Sequence, residues 1–152
     1  MLGQVVIDAV TTLGSGVDGA VRRIETAYDG QGNAYLVTSY DAVSSGSVVS
    51  QVQRAFDGLG QLTTERQQHG GAVNTGTSPK VQYAYSFSPS GSANQSRLTT
   101  VTYPSGYAVT YNYASGLDAI SRLSSLSDAT GTLESYDYLG TGTVVRRALP
   151  QR

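Results

Sequence analysis

A seven-residue segment of this sequence returns 28 residues later. Ala27-Tyr28-Asp29-Gly30-Gln31-Gly32-Asn33 is followed by Ala55-Phe56-Asp57-Gly58-Leu59-Gly60-Gln61, with an aromatic residue, Asp and Gly at matching positions. An Asp side chain accepts hydrogen bonds from backbone N–H groups of its own turn, and Gly adopts the positive φ that closes it. Each copy is therefore predicted to be the tight turn of a β-hairpin.

A second repeat, with a period of 25 residues, occupies the later half of the chain. Ser96-Arg97-Leu98-Thr99 returns as Ser121-Arg122-Leu123-Ser124, and Tyr111-Asn112-Tyr113 returns as Tyr136-Asp137-Tyr138. Two markers that share one period indicate a common structural unit. A unit of this length cannot bury its apolar surface alone, so the repeats must stack into an array.

Alternation of apolar and polar residues predicts strands between the turns. The pattern is clearest over 81–87 and 107–113, and Pro104-Ser105-Gly106 predicts a hairpin over 98–113. Only residues 18–25 resemble a short helix, and Gly19 opposes one. The predicted fold is all-β, an antiparallel array of hairpins forming a twisted sheet strip. The other predicted strands are 4–10, 21–28, 34–40, 48–56, 61–67, 122–127, 132–138 and 143–149, and a polar exposed loop is predicted over 67–78.

These motifs resemble the YD-repeat, or Rhs-repeat, family, which is named for its tyrosine-aspartate pair. That pair stands here as Tyr28-Asp29, Tyr40-Asp41 and Tyr136-Asp137, and the fuller family pattern is approached by 56–63. The segment 114–121 departs from the pattern. The candidate repeat-motif residues are Tyr28, Asp29, Gly32, Phe56, Asp57, Gly60, Arg97, Tyr113, Arg122 and Tyr138.

The resemblance implies a sheet strip that belongs to a larger shell, as in bacterial Rhs proteins, toxin-complex cocoon components and teneurins. It divides the chain into three regions. Residues 1–20 are a leading strand and Gly-rich loop that form a partial repeat, 21–149 are hairpin repeats, and 150–152 are a tail. The chain is then expected to be a fragment of a secreted or cell-surface protein and a non-catalytic structural or interaction module. Its partners would be neighbouring YD repeats or further copies, because open sheet edges invite pairing.

Charge and composition exclude several other classes. Ten basic and eleven acidic residues give a net charge of −1, so sequence-tolerant nucleic-acid binding is not expected. The chain has no Cys, and therefore no disulfide framework or thiolate site. No apolar run is long enough to span a membrane, and the first residues lack the basic and apolar regions of a signal peptide.

Three motifs have simple structural interpretations. Residues 14–19 match G-x-G-x-x-G, but no convincing helix follows and the chain lacks βαβ alternation. His69 has no Cys to join it in a zinc site, and 29–33 lacks the alternating acids of a calcium loop. We expect a glycine-rich loop, an exposed histidine and a capped turn, with no cofactor or metal.

The tyrosines leave two interpretations open. Tyr107, Tyr111 and Tyr113 could form a platform that stacks sugars, and the alternative function is therefore a carbohydrate-binding adhesin module with glycans as partners. The same rings could instead hold the sheet together by cross-strand packing, which the shortage of Phe and Trp favours. A third hypothesis, glycoside hydrolysis by paired carboxylates, lacks any motif of its own.

Overall fold

All regular structure in the described residues is β-strand. A computed structural model describes residues 3–86, 96–113 and 122–150. Within these ranges the strand pairings of defined register are antiparallel and join neighbours in the chain. The prediction of an all-β, antiparallel hairpin array is confirmed. The strands are β1 (Ile7–Ala9), β2 (Arg23–Tyr28), β3 (Ala34–Tyr40), β4 (Val48–Phe56), β5 (Leu62–His69), β6 (Lys80–Ser86), β7 (Arg97–Thr102), β8 (Ala108–Asn112), β9 (Ser125–Asp128), β10 (Gly131–Leu139) and β11 (Thr143–Ala148).

The observed strands follow the residue pattern closely. The predicted strands 34–40 and 48–56 coincide with β3 and β4, which contain the β-branched and aromatic residues that favour strands. Residues 18–25 contain no helix; a bend at Ala20 leads into β2, which begins at Arg23. The atypical segment 114–121 lies outside the described residues.

Contacts divide the chain into two units, Met1–Val81 and Gln82–Arg152. In the first unit, β1 to β5 form a meander in which each strand pairs with the next. The register places Ile7 opposite Glu25, and Thr38 opposite both Glu25 and Gln51, so these four side chains share one face of the sheet. The sequence-based boundary at residue 20 lies inside this unit.

The loop after β5 packs back onto that same face. The Val73 N–H donates to Gln51 Oε1 at 2.8 Å, and the Ser78 hydroxyl donates to Gln68 Oε1 at 2.7 Å. Ser78 is only 7% exposed, and Thr38, whose hydroxyl accepts Gln51 Nε2 at 2.8 Å, is 3% exposed. The prediction of an exposed loop over 67–78 is therefore wrong at both ends, because β5 continues to His69 and Ser78 is buried.

In the second unit, β6 to β11 form another meander. Val101 lies opposite Tyr83 on one side and Val109 on the other, and it is 7% exposed. Among the described residues of the chain, Val101 is the only buried hydrophobic residue. Most strand side chains are half-buried, so backbone ladders and cross-strand contacts, more than a deep core, hold the strands together. No helix in the described ranges is long and apolar enough to cross a membrane.

Candidate functional site

The Asp29 turn is held by its own side chain. Asp29 Oδ1 accepts the backbone N–H groups of Gln31 and Asn33, both at 2.9 Å, and Asp29 Oδ2 accepts Asn33 Nδ2 at 3.0 Å. The Asp29 N–H donates to the Asn33 carbonyl at 3.0 Å, and Gly32 closes the turn with a φ of 90°. The Asn33 side-chain amide, followed by the backbone N–H groups of the turn, lowers the pKa of Asp29 below 3.8.

The Asp57 turn repeats this geometry. Asp57 Oδ1 accepts the N–H groups of Leu59 and Gln61, both at 2.9 Å, and Gly60 has a φ of 77°. The pairing register shifts just before each turn, after Ala27 and after Ala55. Asp at the first position and Gly at the fourth of a type I turn, followed by a bulge, is a standard hairpin connection. The sequence repeat is thus a structural repeat.

Side-chain amides link successive turns to one another. Gln31 Nε2 donates to the Gly58 carbonyl at 3.3 Å, which connects the Asp29 turn to the Asp57 turn. Gln4 Nε2 donates to the Gly32 carbonyl at 3.0 Å, and the Tyr28 hydroxyl donates to the Val5 carbonyl at 3.0 Å. The leading segment is therefore docked on the first repeat by the same kind of contact that joins the first repeat to the second.

In the second unit, the repeated element is an arginine that covers a tyrosine. The guanidinium carbon of Arg97 lies 4.8 Å from the centroid of the Tyr113 ring, and the Tyr113 hydroxyl donates to the Leu98 carbonyl at 3.0 Å. Burial raises the pKa of Tyr113 above 10.0, and the Arg97 charge offsets part of that rise. This arrangement of Arg, the following carbonyl and Tyr is called the Arg–Tyr clamp below.

The clamp recurs one period later. The guanidinium carbon of Arg122 lies 4.7 Å from the centroid of the Tyr138 ring, and the Tyr138 hydroxyl donates to the Leu123 carbonyl at 2.7 Å. In the first unit, Arg23 covers the Tyr40 ring at 4.2 Å. Cation–π contacts of this kind fasten the end of one strand to a neighbouring strand.

A third turn keeps the backbone geometry without aspartate. The Tyr103 N–H donates to the Tyr107 carbonyl at 2.8 Å, the Gly106 N–H donates to the Tyr103 carbonyl at 2.9 Å, and Gly106 has a φ of 84°. The rings of Tyr103 and Tyr107 lie 6.1 Å apart with an interplanar angle of 32°. Each tyrosine is 45% exposed.

The three predicted sugar-stacking tyrosines have different surroundings. Tyr107 flanks the third turn, and its hydroxyl donates to Asp128 Oδ2 at 3.0 Å. Tyr111 is half-buried within β8, opposite Leu126 of β9. Tyr113 follows β8 and has one ring face against Arg97. Of the three, Tyr107 is the most exposed, at 45%, whereas Tyr111 and Tyr113 are half-buried.

Several of the described acidic residues cap turns or form ion pairs. Arg54 Nε pairs with Glu65 Oε2 at 2.7 Å. Glu134, 8% exposed, is held by Arg147, whose Nη2 donates to Glu134 Oε2 at 2.9 Å and whose Nε donates to Oε1. No group of three or more His, Asp or Glu side chains that could hold a metal ion occurs in the described part of the chain.

The remaining motifs have local roles. In the glycine-rich loop over 14–19, the Ala20 N–H donates to Asp18 Oδ1 at 2.9 Å, and the loop continues into a strand. His69 is exposed at the end of β5. A shallow depression of about 350 Å³ lies on the face of the first unit that carries Ile7, Glu25 and Thr38.

Comparison with known proteins adds no identification. The chain matches no protein-family model, and no curated protein matches it.

Sequence reasoning missed the contacts that these residues make. The Arg–Tyr clamp was not predicted, although the 16-residue interval from Arg97 to Tyr113 recurs from Arg122 to Tyr138 and is a readable signal. Tyr103 was not among the candidate binding residues. Its position opposite Tyr107 across a Pro-x-Gly turn would have suggested it.

Proposed function

We propose that this chain is a non-catalytic structural and interaction module, a short YD/Rhs-type hairpin array that adds further strands at its open edges. The observation that carries the proposal is the turn-to-turn contact. Gln31 of the first turn donates to the Gly58 carbonyl of the second, and Gln4 of the leading segment donates to the Gly32 carbonyl of the first, so glutamine amides join each turn to the segment beside it. A neighbouring hairpin that carries an amide side chain in its turn could make the same contact.

Two edge strands are available for the addition of further strands. In the described pairings, β1 pairs with β2 alone and β11 pairs with β10 alone. On β1, the Val6 carbonyl and the Val10 N–H bond toward β2, so the backbone groups of Ile7 and Ala9 point to the opposite, open side. Ile7 and Val145 carry exposed apolar side chains, 56% and 57% exposed, on these two strands. Unpaired edges of this composition favour addition of another strand.

The roles of the acidic residues support a module without catalysis. Asp29 and Asp57 cap turns, while Glu65 and Glu134 neutralise arginines on adjacent strands. The likeness of the turn motifs to YD repeats extends the proposal to a piece of a larger shell-forming protein that is secreted or displayed at the cell surface.

Sedimentation velocity over a range of concentrations tests the proposal. We expect reversible self-association, because open edges in one copy pair with those of another. Ile7→Lys and Val145→Lys should each weaken it by placing a charge on an open edge strand. Leu59→Lys is the matched control, because Leu59 is 67% exposed but lies in a turn.

A strictly monomeric profile at high protein concentration would count against edge-mediated association. Equal weakening by Leu59→Lys would show that association depends on general surface hydrophobicity instead. Thermal unfolding of each variant confirms that the lysine substitutions leave the fold intact.

A further inference from the structure

The turn between β7 and β8 is held by backbone hydrogen bonds and by Ser105, and not by the side chains of its two tyrosines. In the turns at Asp29 and Asp57, the first residue caps the turn with its carboxylate. The third turn has the same two backbone hydrogen bonds and the same positive φ at Gly106, with Tyr103 at the capping position. Pro104 fixes its own φ, and Ser105 Oγ accepts the Tyr107 N–H at 3.3 Å, so neither tyrosine side chain caps the turn. The tyrosines are thus released from the capping role.

These two rings are also placed differently from the other paired tyrosines. Arg23, Arg97 and Arg122 cover the rings of Tyr40, Tyr113 and Tyr138 respectively. Tyr103 and Tyr107 instead lie beside each other at 6.1 Å and remain 45% exposed. Two adjacent exposed rings, tilted by 32°, form an apolar platform at the tip of a hairpin.

Asp128 fixes half of this platform. Thr130 donates to Asp128 Oδ1 through its N–H at 2.8 Å and its hydroxyl at 2.6 Å, and the Tyr107 hydroxyl donates to Asp128 Oδ2 at 3.0 Å. The ring of Tyr107 is therefore oriented before any ligand arrives, which lowers the entropic cost of binding. The carboxylate also gives the rim of the platform a negative charge.

We propose that Tyr103 and Tyr107, with Asp128 as the positioning residue, form a binding site for a neutral hexopyranose. Aromatic rings pack against the apolar C–H face of such a sugar, and tyrosine suits a surface that is part apolar and part wet. The Asp128 charge disfavours sulfated or carboxylated sugars by repulsion. A single exposed platform of this size is expected to bind with an affinity on the order of millimolar.

The test is a titration of the ¹⁵N-labelled chain followed by amide chemical shifts. Lactose and cellobiose are the neutral probes, and a sulfated heparin disaccharide is the anionic probe. We expect saturable shifts in residues 103–107 and at Asp128 with a neutral disaccharide, and weaker shifts with the sulfated one. Absence of shifts at these residues with both neutral sugars overturns the proposal, as does tighter binding of the sulfated probe. Shifts caused by a proline-rich peptide and by neither sugar also overturn it.

Variants separate stacking from folding. Tyr103→Ala should weaken binding about tenfold by removing one ring. Tyr107→Phe keeps the ring and loses the bond to Asp128, so it should bind more weakly than wild type but better than Tyr107→Ala. Tyr35→Ala is the control, because Tyr35 is 38% exposed in β3 of the other unit and should leave binding unchanged. If Tyr35→Ala weakens binding as much as Tyr103→Ala in folded protein, the site is not at the third turn.

Discussion

The hydroxyl of Tyr113 donates a hydrogen bond to the backbone carbonyl of Leu98, 15 residues earlier, and Tyr138 makes the same bond to Leu123, also 15 residues earlier. Each bond ties the residue after Arg97 or Arg122 to the tyrosine that the same arginine covers. In each copy the tyrosine hydroxyl thus donates to a backbone carbonyl, and the arginine covers the tyrosine ring. The arginine and tyrosine that recur with the 25-residue period therefore make the same pair of contacts in both copies.

Tyr113→Phe should lower the free energy of unfolding at neutral pH by about 0.5–1.5 kcal/mol, because the Leu98 carbonyl loses its hydroxyl donor while the ring contact with Arg97 remains. Chemical denaturation monitored by circular dichroism measures the change. Tyr35→Phe, at an exposed position, is the control and should change little. An equal loss in both variants would contradict a specific role for the bond.

The same tyrosine should make stability depend on alkaline pH. Burial raises the pKa of Tyr113 in the folded state above 10.0, so its neutral form favours folding. Its contribution to stability is fully present below the pKa of the unfolded state and is lost as the pH rises through the higher pKa of the folded state. Wild type should therefore lose more stability than Tyr113→Phe when the pH is raised past 10.0. Parallel pH curves for the two proteins would refute this.

The Asp29 turn should have the opposite pH dependence. Hydrogen bonds from Asn33 and the turn backbone lower the pKa of Asp29 below 3.8 in the folded state. The stabilising contribution is then present above 3.8 and is lost as pH falls through the lower folded-state pKa. Urea unfolding in mildly and strongly acidic buffer should show a smaller acid loss for Asp29→Asn than for wild type. If Asp29→Asn loses as much stability in acid as wild type, the loss of stability arises from other carboxyl groups.

Gly46 should tolerate no side chain. A Cβ at this position would lie 2.6 Å from the Ala42 backbone nitrogen and 2.6 Å from Asp41 Oδ1, which itself accepts the Ser47 N–H. Gly46→Ala should lower the free energy of unfolding by about 1–3 kcal/mol. Gly30→Ala is the matched control, because its Cβ would meet nothing within 4 Å, and its effect should stay within about 0.5 kcal/mol. Thermal unfolding compares the two, and similar losses would contradict the steric explanation.

Arg147 should contribute far more to the free energy of unfolding than its neighbour Arg146. Arg147 neutralises Glu134, whose side chain is 10% exposed, whereas Arg146 and Asp137 are 72% and 64% exposed and lie 3.6 Å apart. Arg147→Ala leaves a buried carboxylate without its cation and should cost about 1–3 kcal/mol. Arg146→Ala should cost at most about 0.5 kcal/mol. Hydrogen exchange in β10 and β11 measures the local effect, which should appear in the first variant and not in the second.

Local sequence was sufficient for most of the strands and for the turns at Asp29, Asp57 and Gly106. Alternation over 81–87 predicted β6 to within one residue, because a strand with one more buried face needs a period of two, and the predicted strands 34–40 and 48–56 match β3 and β4. Asp and Gly at the first and fourth positions predicted the turns at Asp29 and Asp57, since both residues act within a few bonds of the backbone that they shape.

Contacts between distant residues were not predictable in the same way. Gln51 and Gln68 accept hydrogen bonds from the loop after β5. These contacts depend on the register of β4 against β5, and residue patterns do not specify that register to the exact residue. The difference between Arg146 and Arg147 likewise follows from which acid each one meets across the β10–β11 pair.

The repeats by themselves determined that this chain is an array of hairpins, because periodic alternation and turn chemistry are local properties. Only the tertiary structure decided what each repeated residue does. Tyr113 and Tyr138 lie beneath arginines, whereas Tyr103 and Tyr107 remain exposed at a turn. All four are tyrosines within strand-rich repeats. Their exposure differs because strand register, which depends on pairing across the sheet, places an arginine over two of them and the other two beside each other.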